Sequence, residues 1–166
     1  MFVLGIDPGL SITGYGVIGS QGDRLQAVAA GALRTSPATP DAARLAELFA
    51  DLEKLLAEFR PAEVAVEQVF VNRNLQTATA VGRASGVILL AAARAGIPVF
   101  EYTPSAVKLA VTGSGDAPKD RVQALVARRL GLESAPEPAD AADALAVALC
   151  HLQSSGLRRA VAGAGR

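Results

Sequence analysis

"FVLGIDPGLSITGYGVIGSQGDRLQAVAAGAL", Phe2 to Leu33, reads as three strands in succession, and that reading decides the fold. Phe2 to Asp7 is an apolar run stopped by Pro8-Gly9, a pair that favours a turn. Ile12 to Ile18 and Leu25 to Leu33 follow as two more strands, parted by the turn signal "GSQGD", so the chain opens as a meander. Beyond it the hydrophobic period changes. Thr39 is expected as the N-cap and Pro40 in the first turn of a helix, with Leu45, Leu48, Phe49, Leu52, Leu55, Leu56 and Phe59 at helical spacing. Glu63 to Glu67 is a short fourth strand, Leu75 to Ala95 a helix rich in Ala, Gly and Ser, and Ile97 to Tyr102 a fifth strand. Thr103-Pro104 caps a short helix, Pro118 to Leu130 gives another ended by Gly131, and Pro138 starts the last. A meander followed by strands reached through helical crossovers predicts an α/β fold, a mixed five-stranded sheet flanked by helices.

The 166 residues, 51% of them apolar, suffice for one core, expected over residues 1–153. Residues 154–166, small, polar and basic, read as a disordered tail. The N-terminus has no basic leader, and its apolar run is broken by Asp7 and Pro8, so neither a signal peptide nor a membrane span is expected there. The reading is a cytoplasmic protein with no membrane partner. Cys150, the single cysteine, suits a reducing compartment as a small buried hydrophobe. His151, the single histidine, reads as a helix-end residue and offers no zinc cluster.

Net charge is zero, but the charges are unevenly placed. Residues 1–70 carry five Lys/Arg against nine Asp/Glu, whereas residues 71–129 carry eight against Glu101, Asp116 and Asp120. A basic middle of this kind fits a local phosphate-binding surface, and equally a set of solvated helix faces.

The carboxylates are more informative. Asp7 and Glu67 each end an apolar strand, and if those strands are parallel neighbours the two acids meet at one end of the sheet. "PADAADALAVALCH", Pro138 to His151, puts Asp140 and Asp143 on one face of a helix start, three residues apart. Singly, each acid has an ordinary explanation: Asp7 as a turn former, Glu67 as an exposed strand end, the helix pair as partners of the helix dipole. Four converging carboxylates would repel unless a cation neutralised them. Oxygen-only ligands select hard ions such as Mg2+ or Mn2+, and such sites serve phosphodiester hydrolysis. No Ser-His or Cys-His nucleophile is available, because Cys150 and His151 are adjacent on one helix and face different ways.

Four stretches, "GIDPGLSITGYGVI", "VAVEQVF", "YTPSAVK" and "PADAADALAVALCH", taken in order resemble the RuvC-type crossover junction endodeoxyribonucleases, the bacterial Holliday junction resolvases. The resemblance runs to about Gln153. It implies an RNase H-like fold, a homodimer, Mg2+ dependence with Mn2+ substituting, and symmetrical nicking of four-way junction DNA in recombination and repair. It also implies that Asp7, Glu67, Asp140 and Asp143 are the metal-binding catalytic acids; some relatives carry His at the position of Asp140. By the same resemblance Phe70 stacks on a base near the crossover, Lys108 and Lys119 lie near the scissile phosphate, and Arg73 and Asn74 contact the backbone by position. Lys119 opens a helix that also bears Arg121, Arg128 and Arg129. A branch-migration helicase partner, RuvA and RuvB, is implied by resemblance alone. The Ala78, Gly82, Ser85 and Gly86 stripe is the expected dimer face. An RNase H-like nuclease acting on RNA, an actin-like sugar kinase and a non-catalytic junction clamp are the competing readings; the chain is short for the kinase, which needs two such domains.

Overall fold

The computed structural model describes residues 1–22, 24–68 and 74–164, with side chains up to residue 156. Three antiparallel strands open it: β1 (Phe2–Asp7), β2 (Ile12–Gln21) and β3 (Arg24–Arg34). Helix α1 (Asp41–Phe59) crosses to β4 (Glu63–Glu67), which lies parallel to β1, and α2 (Leu75–Arg94) crosses to β5 (Val99–Tyr102), parallel to β4. Helices α3 (Pro104–Thr112), α4 (Lys119–Leu130) and α5 (Ala139–Ala164) complete the order. The strand order β3-β2-β1-β4-β5 is the mixed sheet expected from sequence and the RNase H-like arrangement.

Strand alternation divides the core between the two faces of the sheet. Leu4, Ile6, Val17, Val64 and Val66 point to α1 and α2, where Leu48, Leu52, Leu56, Ile88 and Ala91 meet them. Val3, Ile18 and Ala65 point the other way, against Val107, Val126, Leu145 and Ala148 of α3, α4 and α5. Asp7 therefore shares its face with Val3, and Glu67 with Ala65. That is the face covered by α5.

Helix α5 sits close on this face because the strands beneath it have no side chains in the way. A Cβ on Gly5 would lie 2.1 Å from the carbonyl oxygen of Ala144, and one on Gly14 would lie 2.1 Å from that of Asp140. Backbone approaches of this kind admit only glycine.

Several boundaries differ from expectation. Thr39 does not cap α1: Pro40 holds the N-cap position in an extended conformation, with φ −57 and ψ 142, and no side chain caps the helix. Pro40's φ is compatible with a helix but its ψ is extended, so the first helical residue is Asp41, and Thr39 instead closes a turn onto Ser36. Thr103 caps α3 as expected, accepting from the Ala106 N–H at 3.2 Å, and Gly131 ends α4 with φ 65. The stretch expected to be irregular after Gln153 continues α5 to Ala164. Its Ala and Ser residues favour or tolerate a helix, and the Ser154 hydroxyl donates back to the Cys150 carbonyl at 2.8 Å. His151 is thus no helix-end residue. It lies inside α5 and is fully buried, beside a buried Cys150.

Helix α2 has the length and apolarity of a membrane-crossing segment, but it divides these between two faces. Ala84, Ser85, Ile88, Ala91 and Ala92 are buried, while Leu75 and Leu90 are 71% and 54% exposed. Ser85, expected on the dimer face, turns to the core. The exposed stripe runs through Leu75, Thr79, Gly82, Gly86 and Leu90.

Candidate active site

The four acids expected from sequence meet at one end of the sheet. The parallel β1–β4 ladder sets Ile6 opposite Val66, which brings Asp7 and Glu67, the next residues, to adjacent strand ends on the α5 face. Helix α5 lays its first turns across that end, with the Asp140 backbone over Gly14, the register partner of Asp7. Asp140 and Asp143 so come within electrostatic range of Asp7.

Their mutual effect is large. The Asp7 carboxyl is pushed up from 3.8 to about 7, first by burial and then by Glu67, Asp143 and Asp140, with Lys119 opposing. Glu67 is also raised, by burial and then by Asp143, against a hydrogen bond with Asp7 and the charges of Lys108 and Lys119. Two carboxyl groups share a hydrogen bond only if one keeps its proton, and Asp7, whose own carboxyl holds on to its proton up to about pH 7, is that one. Asp143 is answered by the Lys119 ammonium at 2.6 Å, and that bond raises the lysine further above its ordinary value.

Beside the acids opens a cavity of about 220 Å³ lined by Glu67, Asp143, Lys108 and Lys119 with apolar Val107 and Val122 behind them. Among the described residues no three Asp, Glu, His or Cys side chains form a ready-made ion cage. As placed, Asp7 turns to Glu67 and Asp143 to Lys119. Cations and acids so line one cavity, with Lys119 and Asp143 already in contact.

The remaining expected residues fall elsewhere. Arg121 is exposed on α4, near enough to Asp116 to help lower its carboxyl, which mainly accepts from the Ser114 hydroxyl. Asn74 caps α2, its Oδ1 accepting from the N–H groups of Gln76 at 3.1 Å and Thr77 at 3.2 Å. Phe70 and Arg73 lie outside the described residues.

Three features around the acids went unread in the sequence. One is the glycine seat under α5, signalled only by Gly5, Gly14 and Gly16 on alternate strand positions. Another is Arg44, buried on α1, whose guanidinium donates to the Ser11 hydroxyl at 2.7 Å and to the Thr35 hydroxyl oxygen at 3.0 Å. Thr35 in turn donates to the Leu10 carbonyl at 2.5 Å, so Arg44 braces the turn that follows Asp7. The last is His151, bonded at both ring nitrogens.

Comparison with known proteins identifies the family. The family model described as "Crossover junction endodeoxyribonuclease RuvC" matches residues 3–151. The RuvC of Heliobacterium modesticaldum is 58% identical over 154 residues, covering 93% of this chain and 95% of its own length. The Thermus thermophilus RuvC structure superposes with a TM-score of 0.88 at 40% identity, over 95% of this chain and 96% of that one. The same protein in complex with a Holliday junction substrate gives a TM-score of 0.86 at 41% identity, over 92% and 93%. With the match running from the first strand to the last helix and spanning all four acids, the chain belongs to the RuvC family of crossover junction endodeoxyribonucleases.

Proposed function

We propose that this crossover junction endodeoxyribonuclease, which resolves four-way DNA junctions, does so as a Mg2+-dependent enzyme whose catalytic and metal-binding acids are Asp7, Glu67, Asp140 and Asp143. The observation that carries the reading is the convergence of four carboxyl groups whose own repulsion, added to burial, holds Asp7 protonated up to about pH 7. Such a cluster is costly without a cation, and an oxygen-only donor set fits hard ions, Mg2+ first with Mn2+ substituting. Held by these carboxylates, divalent ions would supply Lewis acidity to activate a water and to stabilise the departing 3′-oxygen.

The chain's own groups supply the rest. Deprotonated Asp7, Glu67, Asp140 and Asp143 orient the site, and the rigid strand ends and the seated helix hold them at little entropic cost. Lys108 and Lys119 face the cleft as point charges that neutralise the scissile phosphate's non-bridging oxygens. In-line attack by water on phosphorus breaks the bond to the 3′-oxygen, leaving a 5′-phosphate and a 3′-hydroxyl. Phe70 stacks on a base near the crossover, and Arg73, Asn74 and Arg121 contact the backbone.

A four-way junction offers two equivalent strands, so a two-fold homodimer presenting two acid sites matches it. The exposed α2 stripe is the proposed contact. Its Gly82 and Gly86 have open space where a side chain would stand, and so let two helices approach. The working partners are four-way junction DNA and, by resemblance, the RuvA and RuvB branch-migration complex, in the cytoplasm.

A labelled synthetic four-way junction tests the reading, incubated with Mg2+, with Ca2+ or with chelator, beside a linear duplex. Paired nicks at symmetrical positions with Mg2+ alone are expected. Binding without cleavage under all conditions sinks the assignment of the acids and leaves a junction clamp.

A further inference from the structure

His151 has no part in the chemistry above, yet both of its ring nitrogens are engaged. Nδ1 lies 2.8 Å from the Tyr102 hydroxyl, and Nε2 lies 2.6 Å from Oε2 of Glu63. A carboxylate only accepts, so Nε2 carries the proton and donates to Glu63, which leaves Nδ1 to accept from the Tyr102 hydroxyl. Both ring nitrogens thus have a partner. Phe100 closes the group, its ring centroid 4.8 Å from the imidazole.

Glu63 and His151 stand on elements that carry the acids, β4 and α5, and Tyr102 stands on β5, the strand paired with β4. Glu63 and Glu67 occupy the same face of β4, and Tyr102 is the register partner of Glu67 on β5. His151 lies on the helix that carries Asp140 and Asp143, about three turns beyond Asp140 and on the same stripe. The rest of the α5 contact with the sheet is made by Ala144, Leu145, Val147 and Ala148 against apolar strand residues and glycine. Contacts of that kind are non-directional and permit a helix to slide or roll. Two hydrogen bonds to a rigid ring do not, because they weaken steeply with angle and distance.

We propose that His151 is a positioning residue: its bonds to Tyr102 and Glu63 lock the rotation and slide of α5 on β4 and β5, and so set Asp140 and Asp143 against Glu67 and Asp7. The inference rests on reading the four acids as the metal site. The unaltered chain tests that reading on its own, by Mn2+ binding followed in the paramagnetic resonance of free Mn2+. No binding there overturns both.

With binding established, Tyr102→Phe and Glu63→Ala each remove one bond at little cost in packing, since Glu63 is on the rim and the tyrosine loses one oxygen. Glu63→Gln keeps an acceptor for Nε2–H, and His151→Phe removes both bonds. Mn2+ affinity, single-turnover cleavage rate and junction affinity in Ca2+ are measured well below each variant's melting temperature. The expectation is about tenfold weaker Mn2+ binding and a matching fall in the cleavage rate for Tyr102→Phe and Glu63→Ala, as for other groups that orient ligands from behind. Junction affinity stays within about twofold, and Glu63→Gln restores the parent values. Parent-like Mn2+ affinity and rate in the folded Tyr102→Phe and Glu63→Ala proteins, with only a lowered melting temperature, overturn the proposal and leave a structural bond.

Discussion

Asp7 is the residue at which the proposed function and stability oppose each other. Its carboxyl, about 7 in the fold against 3.8 ordinarily, is ionised in the unfolded chain over a pH range where the folded chain keeps it protonated. The folded state therefore binds the extra proton, and stability contributed by this group is lost as pH rises from about 4 to about 7. At about 1.4 kcal/mol per unit, the shift amounts to about 4 kcal/mol in metal-free protein. Asp7→Asn removes the ionisation. In chelator, the variant is expected to match the parent near pH 4 and exceed its stability at pH 8, with urea unfolding at both values as the check. It is expected to abolish cleavage while leaving junction binding within about twofold, the usual exchange of stability for activity at a strained site. A variant no more stable than the parent at pH 8 contradicts the crowding of charge at this end of the sheet. The position of the acids could be read from sequence because strand ends and a helix start carry their own punctuation. The protonation of Asp7 could not, since it depends on how deeply α5 covers it.

Among the elements, α5 does most to build the site, and what seats it is the absence of side chains beneath. Gly14→Ala would put a Cβ 2.1 Å from the Asp140 carbonyl oxygen, a backbone atom that cannot swing aside. The start of α5 must lift, taking Asp140 with it. Gly19→Ala on the same strand meets only the Val28 and Phe2 side chains, at 3.2 and 3.3 Å, which can shift. Overpacking costs of about 1–3 kcal/mol are expected for Gly14→Ala, with a cleavage rate lowered at least tenfold in the folded protein. Gly19→Ala serves as the near-neutral control. Thermal unfolding with single-turnover cleavage separates them, and equal behaviour of the two variants would count against the seat. The five strands and most helix limits followed from Pro8-Gly9, Thr103-Pro104 and Gly131, where local chemistry fixes the backbone. The glycine seat and the His151 bonds join residues far apart in the chain, and no local pattern announces such contacts. The continuation of α5 past Gln153 was missed for a related reason: the stretch from Ser154 on has the composition of a tail, yet residues 154–164 extend a helix already nucleated.

At the scale of the whole molecule, all four acids belong to one chain, so on the proposed reading a single subunit would hold a complete site and the proposed dimer would only pair two of them. Symmetry would then rest on the proposed α2 contact, and the two roles can be separated. Gly86 has nothing within 4 Å of where its Cβ would stand, so Gly86→Arg disturbs no contact within the described residues of the subunit. In a two-fold helix pairing the same substitution meets itself, and two guanidinium groups cannot share a close apolar contact. Gly86→Arg is expected to run as a monomer by light scattering, with unchanged far-ultraviolet dichroism and unchanged Mn2+ affinity per chain. On the four-way junction it should lose the paired nicks, leaving slow single ones, because nothing now presents a second site to the opposite strand. A dimeric Gly86→Arg protein with paired cleavage would move the interface off α2. A monomer that also lost Mn2+ binding would mean that the partner subunit helps to complete the acid site.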